Sequence, residues 1–101
     1  MKRDDFKEHS RITVTWRDKE DKLRPGNFYV YTLFKDAMIV RATDKDGLLR
    51  KLPYADVIRI VKQQEIAPQD RYMIPAAVLD ERNWRDRDVM MRYSSSPHRG
   101  K

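Results

Sequence analysis

Apolar side chains recur at every second residue across RITVTWR, residues 11–17. Ile12, Val14 and Trp16 fall on one side, and Arg11, Thr13, Thr15 and Arg17 on the other. A period of two in β-favouring residues predicts a half-buried strand. Residues 18–27, DKEDKLRPGN, have no period and end in Pro25-Gly26, which predicts a charged loop closing in a turn. FYVYTLF, residues 28–34, is apolar or aromatic on both sides. Strict alternation puts Phe28, Val30, Thr32 and Phe34 on one face and Tyr29, Tyr31 and Leu33 on the other. Such a strand is expected to be covered twice. A short turn at Lys35-Asp36 leads to AMIVRA, residues 37–42, where Met38 and Val40 oppose Ile39 and Arg41. The polar run 43–47 ends in Asp46-Gly47, a hairpin signal. A short strand over 48–52 stops at Pro53, which has no N–H to give a ladder. Tyr54-Ala55-Asp56 suits one tight helical turn, and VIRIV, residues 57–61, a closing strand.

The flanks are more polar. Residues 1–10 carry one apolar anchor, Phe6, and predict a short helical turn or a flexible N-terminus. Residues 63–74 have no period. Pro75 suits a first helical turn, so the pattern predicts a short helix over 75–84. Residues 85–93 fit either period: Val89, Met91 and Tyr93 alternate like a strand, whereas Ala77, Trp84 and Met91 recur like one helix face. SSSPHRGK, residues 94–101, reads as a disordered tail. The whole predicts a mainly β domain: a small five-stranded antiparallel barrel over 11–62, with an appendage over 63–93.

The run MIVRATDKDGLLRKLPYADVIRIV, which follows a long second strand, resembles the end of Sm-like small barrels. Those close with a strand, a turn, a short strand, one helical turn and a last strand bearing apolar residues such as Ile58 and Val61 here. The resemblance spans about residues 11–62 and implies the barrel fold. The family's RNA-contacting residues are not matched. No asparagine follows Asp36, where AlaMetIleVal stands, and TyrAlaAsp at 54–56 replaces the Lys-His pair before the closing strand.

Charge narrows the function classes. Twenty-two basic residues face sixteen acidic ones, for a net charge of +6 and a pI of about 9.7. A basic balance of this size favours an anionic partner. The chain has no cysteine, hence no disulfide or thiolate chemistry. MKRDDFKEHS has no apolar leader pattern, and no apolar run approaches a membrane span. A cytoplasmic protein without a membrane partner is expected.

Catalytic signals are weak. His9 and His98 lie near the two ends, the three glycines are far apart, and Asp44 with Asp46 supplies too few oxygens for a hard cation. No enzyme activity, metal or cofactor is expected. The positive signal is a set of cations beside tyrosines. If Arg41, Lys51 and Arg59 share an outward face with Tyr29 and Tyr31, they form a basic patch with stacking rings, suited to RNA or another nucleic acid. The alternative is a protein-binding or self-associating module, in which the apolar second face of 28–34, with Trp84, Met90 and Met91 downstream, packs on another chain.

Overall fold

The computed structural model describes residues 1–43 and 47–90, with Met90 described by its backbone alone. The expected tail over 94–101, residues 91–93 and the middle of the 43–47 turn lie outside the described residues.

Five antiparallel strands form one sheet: β1 (Ser10–Arg17), β2 (Leu23–Leu33), β3 (Ala37–Ala42), β4 (Leu49–Pro53) and β5 (Val57–Glu65). A two-residue strand, β6 (Val89–Met90), extends the edge, giving the order β5-β1-β2-β3-β4-β6. Among the described residues no pairing joins β5 to β6 or to β4. The sheet is therefore open by its hydrogen bonds. It curls nonetheless. Val57 of β5 and Leu52 of β4, far apart in strand order, share one core with Ile12, Val14, Phe28, Val30, Met38 and Val40. The expected helical turn is present as a 3₁₀ turn, Tyr54–Asp56, joining β4 directly to β5. Phe6 follows a 3₁₀ turn at Arg3–Asp5, is buried, and stacks on Tyr54 with ring centroids 5.7 Å apart.

Pro25-Gly26 is not a turn. Both residues lie inside β2, opposite Thr15 and Val14 of β1. This end of β2 runs beyond β3, whose pairing stops at Phe28↔Ala42. Among the described residues its outer edge has no ladder partner there, the setting in which a strand tolerates proline. The reversal occurs earlier, at Asp18–Lys22. The Asp18 carboxylate accepts the N–H groups of Glu20 (2.9 Å) and Lys22 (3.0 Å) and the Arg24 guanidinium. The Arg24 bond is the main reason its pKa lies below the usual value. Asp21 takes the left-handed conformation that closes the turn (φ 65°).

Register breaks in two strands correct the strict alternation. The first lies between Val30 and Thr32 in β2. One extra residue, Tyr31, reverses the parity beyond it. Leu33 joins the inner core and Phe34 the outer cluster, opposite to the sequence expectation. The second change is in β5, which is bulged twice against β1. Val57 and Ile60 face the core, while Ile58 and Val61 sit at the breaks and are exposed. The apolar pair that resembled a barrel-closing strand is thus not its core pair.

The expected helix over 75–84 is replaced by two separate 3₁₀ turns, Ala76–Leu79 and Glu81–Trp84. Asp80 between them is extended (φ −94°, ψ 117°), and its side chain caps the second turn by accepting the Arg82 N–H. An aspartate free to bond a nearby backbone N–H competes with helix continuation.

Gly26 makes the strand–strand packing possible. A Cβ there would run into the Phe28 ring and the Trp16 Nε1, whose rings meet edge-on with centroids 6.0 Å apart. Gly26→Ala is expected to destabilise the domain by about 1–3 kcal/mol, as overpacking does, measured by urea unfolding. An unchanged midpoint would show that the two rings move aside freely.

Candidate nucleic-acid interface

The outward side of the sheet divides into two halves. Over β2, β3 and β4 it is covered. Ile66, Val78 and Trp84, from the segment after β5, pack on Tyr29, Tyr31, Ile39 and Leu49. Trp84 is fully buried and donates its Nε1–H to the Val78 carbonyl at 2.7 Å. Tyr72 lies over Tyr29, with centroids 4.6 Å apart.

Four of the five residues expected to form the interface lie in this covered half. Tyr29 and Tyr31 are 0% and 3% exposed, so neither ring is an open stacking platform. Tyr29 Oη accepts the Tyr72 N–H at 3.3 Å and lies 2.9 Å from His9 Nδ1. Tyr31 Oη is buried without a hydrogen-bond partner among the described residues. Desolvation raises the pKa of both phenols, that of Tyr31 to about 12. Arg41 lies with its guanidinium 4.2 Å from the centre of the Tyr72 ring, a cation–π contact. Lys51 donates its ammonium to the Trp84 carbonyl at 2.7 Å. The physical reason is one segment: residues 66–84 bury the aromatic pair and engage both cations. The same burial takes Trp84 out of any surface available to a partner.

The fifth residue, Arg59, lies on the uncovered half, over β5, β1 and the first part of β2. There the ladder sets Arg59 beside Thr15, Lys62 beside Thr13, and Gln64 beside Arg11. On the other side of β1, Thr13 faces Asn27. Thr13 Oγ1 donates to Asn27 Oδ1 at 2.7 Å, and the Thr43 N–H donates to the Asn27 carbonyl at 2.9 Å. Arg11, Arg59 and Lys62 are exposed. A shallow depression of ≈ 250 Å³ lies among Arg11, Thr13, Asn27, Thr43, Lys62 and Gln64. No carboxylate lines it among the described residues.

The β5 bulge makes this arrangement. Residues 59 and 62 would point to opposite faces of a regular strand. The extra residue, Val61, restores a common parity, so Arg59 and Lys62 stand two β1 residues apart on one face. Two strand residues span about 7 Å. Arg11, Lys62 and Arg59 therefore form a row of three cations among hydroxyl and amide groups. Arg11 and Lys62 were missed as site residues. Alternation on β1 already turned Arg11 outward, but nothing in the sequence marked the bulge that aligns Lys62.

Compared with known proteins, the chain matches no family model, no curated protein and no solved structure. Among the described residues, no group of three or more His, Cys, Asp or Glu is placed to hold a metal, and no helix is long and apolar enough to cross a membrane.

The buried phenols give a pH dependence. Tyr31 and Tyr54 are both pushed up to about 12, chiefly by desolvation. A phenol in the unfolded chain ionises near 10. A raised pKa means the fold favours the neutral form, so its contribution is complete below about pH 10 and is lost as pH rises through about 12. Phenolate absorbance and circular dichroism recorded together should show these two tyrosines ionising only as the sheet unfolds. Full ionisation of every tyrosine in a folded protein would contradict the burial.

Proposed function

We propose that the chain is a non-enzymatic nucleic-acid-binding module, and that it holds the sugar–phosphate backbone on the open half of the sheet. The observation that carries this reading is the row Arg11, Lys62 and Arg59, exposed together on a face lined by Thr13, Asn27, Thr43 and Gln64. Cations neutralise phosphates and release counterions, and hydroxyl and amide groups add hydrogen bonds. With Tyr29 and Tyr31 covered, the reading differs from the one drawn from sequence. Affinity comes from charge and is sequence-tolerant, without stacking on those rings. RNA and DNA single strands are both substrates in kind.

The same reading takes the curled sheet as an Sm-like small barrel. Its support is the shared core of Leu52 and Val57 and the single 3₁₀ turn between β4 and β5. A second reading, self-association, is favoured by Ile58 and Val61. They are 43% and 57% exposed on β5, which pairs only with β1 among the described residues. Its mark would be a molar mass that rises with concentration and falls to the monomer value in Ile58→Lys/Val61→Lys.

For the leading reading, binding to a fluorescent mixed-sequence single strand is followed by anisotropy. Three phosphate contacts give a slope of about −2 in log affinity against log salt, a loss of roughly tenfold to twentyfold over a fourfold rise in salt. Arg11→Gln/Arg59→Gln/Lys62→Gln should abolish that slope, whereas Lys51→Gln should keep it. No binding of the native chain at low salt, or a Lys51 variant weakened as much as the triple variant, would overturn the assignment.

A further inference from the structure

The row Arg11, Lys62, Arg59 has a regular step. Outward positions on β1 fall at residues 11, 13 and 15, and each of these rungs carries one cation beside one neutral polar group. Arg11 stands beside Gln64, Lys62 beside Thr13, and Arg59 beside Thr15. The cation is on β1 at the first rung and on β5 at the other two, so the row crosses to the neighbouring strand, about 4.8 Å away. Neighbouring rungs are two strand residues apart, about 7 Å.

The row is bounded at both ends. Before β1 starts at Ser10, His9 takes a left-handed conformation (φ 55°), and its Nδ1 lies 2.9 Å from the Tyr29 hydroxyl. At the far end Arg17, the next outward residue of β1, is held by Asp21 at 2.9 Å. Between these limits, no carboxylate among the described residues holds Arg11, Lys62 or Arg59. Glu65, at the end of β5, pairs with Ser10 and alternates with Gln64, which puts it on the opposite face.

We propose that this row is a phosphate ruler, which takes three successive phosphates of one extended nucleic-acid strand, one on each rung, with that strand running along β1. The inference rests on the nucleic-acid reading above and adds the form and register of the ligand. Successive phosphates of an extended single strand are separated by a full sugar unit, a step that matches one rung. In a duplex each strand advances only about 3.4 Å along the axis per phosphate and winds away from a row along one β-strand. The neutral group on each rung meets sugar and phosphate oxygens, which sets register without reading bases.

The test uses thymidine strands of one length in which neutral methylphosphonate links replace chosen phosphodiesters. One strand keeps three adjacent charged phosphates, and a second keeps three at every second link. An unmodified strand, alone and annealed to its complement, completes the set. Binding to the full chain is followed by anisotropy against salt. The adjacent strand should give a slope of about −2 in log affinity against log salt, at about −0.7 per phosphate of a single strand. The alternate strand should give about −1.4, because its charges reach only the end rungs, Arg11 and Arg59. Lys62→Gln should erase the difference between the two strands, since only the end rungs then remain. Arg59→Gln should preserve it, at about −1.4 against about −0.7. Both side chains are exposed, and circular dichroism checks that each variant is folded. The duplex should bind more weakly than the single strand. Equal slopes for the two patterned strands would overturn the ruler, as would a difference that survives Lys62→Gln or a duplex bound as tightly as the single strand. An adjacent strand that fails to bind where the unmodified one binds would overturn it too. In each of these cases binding of the unmodified strand leaves the general reading standing, whereas an unmodified strand that does not bind at low salt overturns both.

Discussion

β2 carries large apolar side chains on both faces, so it must be covered twice. The rest of the architecture follows from that constraint. One cover is the curled sheet itself, where Phe28, Val30 and Leu33 meet Ile12, Val14, Met38 and Val40. The other cannot be a sheet, because every long strand is already in use. Residues 66–84 supply it with little regular structure, through a few buried anchors: Ile66, Val78 and Trp84. Their polar groups are satisfied one by one. The Trp84 Nε1–H goes to the Val78 carbonyl, and the Trp84 carbonyl takes the Lys51 ammonium. The second cover ends at β2, and this leaves the face over β1 and β5 open.

Local irregularities then decide which side chains the open face presents. A bulge costs a ladder position but reverses parity, so one extra residue reassigns every side chain beyond it. In β2 the extra residue is Tyr31, and it sends Phe34 to the outer cluster. In β5 it is Val61, and it brings Lys62 to the side of Arg59. The bulges also twist the β5 edge, one of the ways a sheet edge is kept from pairing indiscriminately. Ile58 and Val61 are exposed there because the strand breaks register, and not because an apolar face lacks a core.

These same features mark how far the sequence could be read. The strands, their antiparallel order and the single turn at 54–56 are written in period-two runs and in the position of Pro53. The double covering of β2 is also legible, since FYVYTLF has no polar side. Bulges leave no such trace: VIRIV looks the same with or without one. Pro25-Gly26 misleads because the pair is commonest in turns. Here the turn is made by Asp18 with Asp21, and Gly26 is needed for ring clearance. A helix over 75–84 misreads Asp80, whose carboxylate starts a new turn instead of continuing the old one. At the site, the cations were legible as types. Whether each was open or engaged depended on the path of residues 66–84, which no local pattern encodes.

That path also fixes the chemistry available to the open face. Exposing Tyr29 and Tyr31 for stacking would require lifting Trp84, Val78 and Ile66 from the sheet. Each such side chain loses about 1.5–3 kcal/mol on returning to water, and the two tyrosines would be uncovered with them. The sum reaches the whole stability of a typical small domain, about 5–15 kcal/mol. One to two stacked bases, at about 1–3 kcal/mol each, would not offset it. The tyrosines are therefore held as core under any ligand of modest affinity. On the proposed reading, recognition on the sheet would then rest on Arg11, Lys62 and Arg59, which are exposed as they stand.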